Sequence, residues 1–431
     1  MTANQLIALT VLISVVVALI WGKLRSDVVA LAGAAVLLAT RTIRPVEVQG
    51  AFASPAIIAL ASLFVIAYAM ELSGLLGLVI RYATRMCARL GALGLWLMIA
   101  ACGVASAFLN NTPIVVLSAP VVRDVAQSLS LSPKRFLIPL SYVTIMGGAC
   151  TLIGTSTNLL VNDMARSAGQ PGFGMFEATP VALIVAVVGG VYLFLFGGRL
   201  LSGASESDTP EALPAKAAQA AGDDPDLVPT GREFRPFEAI TSLTVFVAVV
   251  AAAAFGIAPI AASAFAGAVL LVLLRVISVD DAYKGLRPEI LLLIAGMVVV
   301  GLSLEVTGLA SLATNALVGW VKVLGPGLAL VLLYGATLLL TEILSNAAVA
   351  VLLTPVAVAL AESLGVSPRP FLVAIMMAAS AAFATPFGYQ TNVLVFQLGR
   401  YSYMDFVKIG VPLNLLTWAV GAAVIPLFFP F

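Results

Sequence analysis

The chain has 431 residues, of which 61% are hydrophobic and 10% charged. Ordinary soluble domains hold about 45–50% and about 25%, so the solvent of this protein is lipid. A net charge of +1 and the lack of a long basic cluster exclude nucleic-acid binding. The absence of histidine excludes Ser-His and Cys-His nucleophiles, HExxH metal sites and histidine proton relays. Three cysteines, Cys87, Cys102 and Cys150, without CxxC spacing, argue against disulfides and structural metal.

Taken in chain order, the apolar runs are helical, because a bilayer crossing needs about 20 mostly apolar residues with their backbone groups satisfied internally. "MTANQ" lacks the basic start of a signal peptide, so the first run is expected to be a retained helix. Helices are expected near 5–21, 28–40 and 55–80, followed by an interrupted segment 93–128, a broken helix 135–166 and a helix 180–198. Residues 202–236, rich in Ala, Pro, Gly, Ser and acids, read as a flexible linker. Beyond it the order recurs: helices 238–255, 258–276 and 289–312, an interrupted segment 326–362, a broken helix 370–399 and a helix 406–428.

The recurrence is in the letters as well as the order. Residues 111–137, "NTPIVVLSAPVVRDVAQSLSLSPKRFL", match 346–372 at 12 of 27 positions, including Asn111/Asn346, Pro120/Pro355 and Phe136/Phe371. "GTSTNLLV" (154–161) matches "GYQTNVLV" (388–395), and Glu71 and Gly74 match Glu305 and Gly308. Two domains of one design, 1–201 and 237–431, are therefore expected to flank the linker. If each interrupted segment is a hairpin that enters and leaves on one side, each half crosses five times and the copies are inverted. On that arrangement 17 Lys and Arg gather on one side, and only Arg41, Arg44, Arg166, Lys322 and Arg369 on the other. The positive-inside rule then makes the first side cytoplasmic, with both termini outside, the linker and hairpin 93–128 inside, and hairpin 326–362 external. The expected fold is an all-α integral membrane protein with about ten transmembrane helices, two re-entrant hairpins and two broken helices.

Asn110, Asn111 and Thr112 fall where the first hairpin turns, and Ser345 and Asn346 where the second does. Pro113 is expected to open the return helix at its first position, where its missing N–H costs nothing. Non-helical backbone at membrane depth is tolerated where it lines a cavity, so the two tips and the two GxxTN breaks are expected to enclose one pocket. Freed carbonyls there suit a hard cation, and helix N-termini with amides and hydroxyls suit an oxyanion. A lone Asn or Thr in a membrane helix commonly does no more than bond a neighbouring helix, for about 0.6 kcal/mol. Joint repetition of tips and breaks points to function instead. Glu71 and Glu305 read as a structural pair. Glu342, beside Thr341 where the first half has Ala107, is either a coupling carboxylate or a neutral acid bonded inside the hairpin.

These motifs resemble the divalent-anion/sodium symporter family, carriers of sulfate, citrate and C4-dicarboxylates, over essentially the whole chain. "NNT" (110–112) and "SNA" (345–347) correspond to its two Ser-Asn-Thr tips. The resemblance implies sodium ions, two or more, as transported partners. Their ligands would come from Ser106, Asn110, Asn111, Gly154, Asn158, Thr341, Ser345, Asn346 and Asn392. It implies substrate contacts from Asn110, Asn111, Thr112, Ser345, Asn346, Thr385 and Pro386, and a homodimer working as an elevator. Asn110 in place of the first serine, Ala347 in place of the second threonine, and breaks without double proline depart from the pattern that recognises dicarboxylates, and the "GTSTN" and "TPFGYQTN" forms resemble a branch often assigned to sulfate or other inorganic anions. Symport of a sulfate-like dianion is the resulting expectation, with a dicarboxylate next. A sodium/proton antiporter or arsenite-type exporter is the alternative, and an enzyme is not expected.

Overall fold

The computed structural model describes residues 1–21, 24–75, 78, 90–198, 234–309, 325–386 and 388–431, and every regular element among them is helical. The first half holds α1 (Ala3–Trp21), α2 (Ser26–Ala39), α3 (Pro45–Phe52), α4 (Pro55–Leu72), α5 (Ala92–Ser106), α6 (Asn111–Ser128), α7 (Lys134–Gly148), α8 (Ser156–Ser167) and α9 (Thr179–Tyr192). A π-turn, Leu193–Gly197, extends α9. The second half holds α10 (Pro236–Ala254), α11 (Ile260–Leu273), α12 (Val279–Gly285), α13 (Pro288–Val306), α14 (Gly325–Thr341), α15 (Asn346–Leu364), α16 (Arg369–Ser380), α17 (Gln390–Gly399) and α18 (Tyr403–Phe428).

Local chemistry places the ends. Proline opens α4 with Ser54 as its cap, accepting from Ile57 N at 3.3 Å, and Ser402 with Asp405 forms a reciprocal capping box on α18. Gly365 closes α15 with a φ of 69°, a conformation that costs a side-chain-bearing residue energy. The α3–α4 stretch, extended α9, α10, α15 and α18 are long and apolar enough to cross a membrane, whereas α5, α14 and α16 carry apolar stretches of 10–17 residues.

Packing comes in exchanged pairs. α2 lies on α13 as α4 lies on α11, and α5 lies on α7 as α14 lies on α16. Between the halves, α8 packs against α15 and α17 against α6. Each helix that follows a tip thus meets the helix that follows the other half's break.

The expected helices need three corrections. The short helices α3 and α12 fall between them, because each is too short and too polar to show an apolar period. Pro113 is the third residue of α6, not the first. It still does no damage, since none of the first four N–H groups of a helix has a partner within it. The helix starting at 55 ends at Leu72 and the one starting at 289 ends at Val306. Residues 79–89, 310–324 and most of the 202–236 linker lie outside the described residues, as do Cys87, the side chain of Glu305 and hence its pairing with Glu71.

Candidate functional site

The two interrupted segments turn at 107–110 and 342–345, and the two broken helices open at 149–155 and, among the described residues, at 381–386 and 388–389. At the first tip Ser106 Oγ donates to Asn111 Oδ1 at 2.5 Å, and Asn111 Nδ2 donates across the halves to Tyr389 Oη at 2.9 Å. Thr112 Oγ1 lies 3.3 Å from Gln390 Oε1 of the same break. Asn110 caps α6 by backbone conformation alone, with no side-chain bond to the first turn. Its amide is therefore available to a ligand beside a helix N-terminus.

The second tip has the same residues in a different arrangement. Thr341 Oγ1 donates to Ala379 O at 2.7 Å. One end of the Asn346 amide lies 2.8 Å from Thr341 Oγ1, 3.2 Å from Ala379 O and 3.3 Å from Gly388 O. Ser345 does cap its helix, accepting from Ala348 N at 3.3 Å. Glu342 Oε1 accepts from Ala384 N and from Asn414 Nδ2, both at 2.7 Å, while Thr385 Oγ1 donates to the Glu342 carbonyl at 3.3 Å. Glu342 is thus held by α18 and the second break. Pro386 is buried in that break.

Around Gly154 the first break becomes a cradle of oxygens. A methyl group built on its α-carbon would sit 2.4 Å from Gly148 O, 2.7 Å from Ala107 O and 2.8 Å from Ser106 O. Three carbonyls therefore converge on one point where no side chain fits. Thr151 Oγ1 donates to Ala107 O and accepts from Gly154 N at 3.1 Å, which fixes the turn. Asn158 Nδ2 donates to Thr151 O (2.9 Å) and Ala149 O (3.2 Å), and its Oδ1 is buried without a donor among the described residues. A buried acceptor left unpaired costs about 1–3 kcal/mol. Neutral carbonyl, amide and hydroxyl oxygens in such a cluster suit a hard, singly charged cation.

The second break lacks that opening. Asn392 Nδ2 donates to Ala382 O at 2.7 Å, and its Oδ1 accepts from Ser141 Oγ at 2.7 Å. Ser141 in turn shares a 2.7 Å bond with Thr391 Oγ1. The first half supplies a serine that satisfies the second half's asparagine. The position matching Ser141 in the second half is apolar, Ile375 or Met376, so Asn158 receives no such donor.

A small cavity adjoins the first tip and break. Asn110, Gly154 and Ser156 give it one polar wall, and Phe64, Phe108 and Phe246 belong to the apolar remainder. The structure thus gathers Ser106, Asn110, Asn111, Gly154 and Asn158 at one place, and Thr341, Asn346, Thr385 and Asn392 at another. Thr112 reaches toward the second break. Sequence reasoning missed Ser141, Thr151, Tyr389, Gln390 and Asn414. Tyr389 and Gln390 fill the variable positions of GxxTN, and Asn414 is an amide in the apolar run of α18, so a signal existed for these three.

The comparisons with known proteins agree with this architecture. The citrate transporter family model matches residues 16–365. An uncharacterized transporter of Escherichia coli, YfbS, is 24% identical over 100% of both chains. Sodium/sulfate cotransporter 1 of Chlamydomonas reinhardtii is 35% identical over 37% of this chain and 18% of its own. The crystal structure of the Alcanivorax borkumensis YdaH transporter aligns with a TM-score of 0.61 at 14% identity, covering 88% of this chain and 86% of that one. The chain belongs to the citrate transporter family, among the divalent-anion/sodium symporters: an integral membrane transporter and not an enzyme.

Proposed function

We propose that the chain is a sodium-coupled symporter that imports a small divalent oxyanion, sulfate-like rather than a dicarboxylate, across the cytoplasmic membrane. The observation that carries this reading is the oxygen cradle at Gly154 beside the Asn110 cavity. The cradle supplies neutral ligands for sodium. The uncapped N-terminus of α6, Asn110 and Ser156 supply donors for an oxyanion. None of the residues named in this polar cluster is Lys, Arg or His, so bound sodium provides the positive charge that admits a dianion. The name of the Chlamydomonas relative, sodium/sulfate cotransporter 1, favours sulfate.

The two halves, 1–201 and 237–431, act in this reading as inverted repeats joined by a cytoplasmic linker, 202–236. The sequence repeat, the exchanged helix pairs and the charge asymmetry support it. The short apolar helices α5, α14 and α16 suit re-entrant hairpins and broken helices. Transport then proceeds by an elevator movement of the tips and breaks within each protomer of a homodimer. Uptake of labelled sulfate, succinate and citrate into proteoliposomes, with and without an inward sodium gradient, tests the assignment.

Glu342 favours a second reading, proton-coupled exchange or export, because a carboxylate stands beside the second break in contact with Ala384 N and Asn414. Glu342→Gln separates the two. A symporter driven by the Gly154 cradle keeps sodium-driven uptake, and an exchanger that titrates Glu342 loses its transport.

A further inference from the structure

We infer that Tyr389, a residue of the second half, is the positioning residue that turns Asn111 of the first half into a cation ligand. The inference rests on the sodium-symport reading and adds a residue to it.

An amide presents an acceptor at one end and a donor at the other, so only one of its two orientations serves a cation. The Asn111 side chain stands with Oδ1 on the cradle side, 2.5 Å from Ser106 Oγ and 2.3 Å from the point that a Cβ on Gly148 would occupy. Gly148 supplies one of the three carbonyls that converge beside Gly154. At the other end, Nδ2 is held by Tyr389 Oη at 2.9 Å. Rotating the amide by half a turn would set a donor against the carbonyls.

The second tip provides the comparison. At an offset of 234 the position matching Tyr389 is Thr155, whose side chain is too short to reach across the halves. There one end of the Asn346 amide faces Thr341 Oγ1, Ala379 O and Gly388 O, and among the described residues no tyrosine hydroxyl bonds the other end. Tyr389 lies in extended conformation immediately before α17 (φ −147°, ψ 145°), which projects its ring off the helix end toward the first tip. The cation cradle of one half therefore depends on the placement of the other half's break. Groups that orient a metal ligand without touching the metal commonly contribute about 10–100-fold to affinity.

The test is sodium dependence measured two ways, by initial-rate sulfate uptake in proteoliposomes and by the sodium-induced rise in melting temperature in detergent. Four forms are compared: wild type, Tyr389→Phe, Asn111→Asp and the double variant. Tyr389→Phe is expected to raise the half-saturating sodium concentration about 10–100-fold while uptake at saturating sodium and the melting temperature without sodium stay near wild type. Aspartate presents oxygen at both ends, so in the Asn111→Asp background Tyr389→Phe should add less than about 2-fold, the mark of an effect that passes through Asn111. Unchanged sodium dependence in Tyr389→Phe, or an equal effect in both backgrounds, overturns the inference. If Tyr389→Phe does not yield folded protein, Tyr389→Met, which also removes the hydroxyl, decides in the same direction. Wild-type uptake and melting that ignore sodium would overturn the symport reading and this inference together. A wild type that responds, with a variant that responds equally, overturns the inference alone.

Discussion

Gly154 stands where a side chain would collide with three backbone carbonyls, and backbone has little freedom to give way. Gly154→Ala is therefore expected to destabilise the protein by about 1–3 kcal/mol, the usual cost of overpacking, and to abolish sodium-dependent uptake through the same collision. Thermal melts with and without sodium separate the two effects. Asn111→Ala removes the amide that links Ser106 to Tyr389, and Asn346→Ala one that bonds Thr341 and the second break. Both should weaken sodium-dependent uptake at least about 10-fold, equivalent to one charge-assisted hydrogen bond. Normal uptake in both variants, at wild-type expression, would remove the tip asparagines from the mechanism. A cysteine replacing Asn110 should be shielded from thiol reagents by sodium plus sulfate, because position 110 lines the cavity beside the cradle.

Among the elements, α16 is anchored to the loop before α9. Arg369 pairs with Glu177, donates to Pro171 O at 3.1 Å, and stacks over the Phe173 ring at 4.5 Å. Both charged side chains are about three-quarters covered, so the pair is worth more than an exposed one without counting as buried. Arg369→Ala should lower stability by about 1–2 kcal/mol and leave the sodium dependence of uptake unchanged. A shifted half-saturating sodium concentration would contradict a purely structural clamp. The tips and breaks were legible in the sequence because two copies of NTP/NAA and GxxTN stand out against apolar surroundings. The short helices α3 and α12 were not, since seven or eight mixed residues carry no period. Nor was the role of Ser141, which reaches Asn392 across 251 positions of the chain. A serine in a packed helix looks the same whether it bonds its own turn, as Ser118 does with Ile114 O, or a distant break. The asymmetry between the tips, Asn111 bonded to Tyr389 of the other half and Asn346 to no tyrosine, follows from cross-half partners that no single stretch of sequence displays.

For the whole molecule, net charge movement decides how far substrate can be concentrated. Three sodium ions with one dianion carry one positive charge inward, and 100 mV then contributes about 2.3 kcal/mol, close to 50-fold accumulation. Two ions per dianion forfeit that contribution. The two breaks are unequal: beside Gly154 the Asn158 oxygen has no donor among the described residues, whereas Ser141 fills the corresponding need of Asn392. Reversal potentials in proteoliposomes give the stoichiometry directly. The most direct test of the central claim is labelled sulfate uptake into proteoliposomes under an inward sodium gradient, with equimolar potassium as the control. Concentrative uptake that requires sodium, and that Gly154→Ala abolishes, is the predicted result. Uptake that is indifferent to sodium but collapses with a proton gradient or with Glu342→Gln would contradict it.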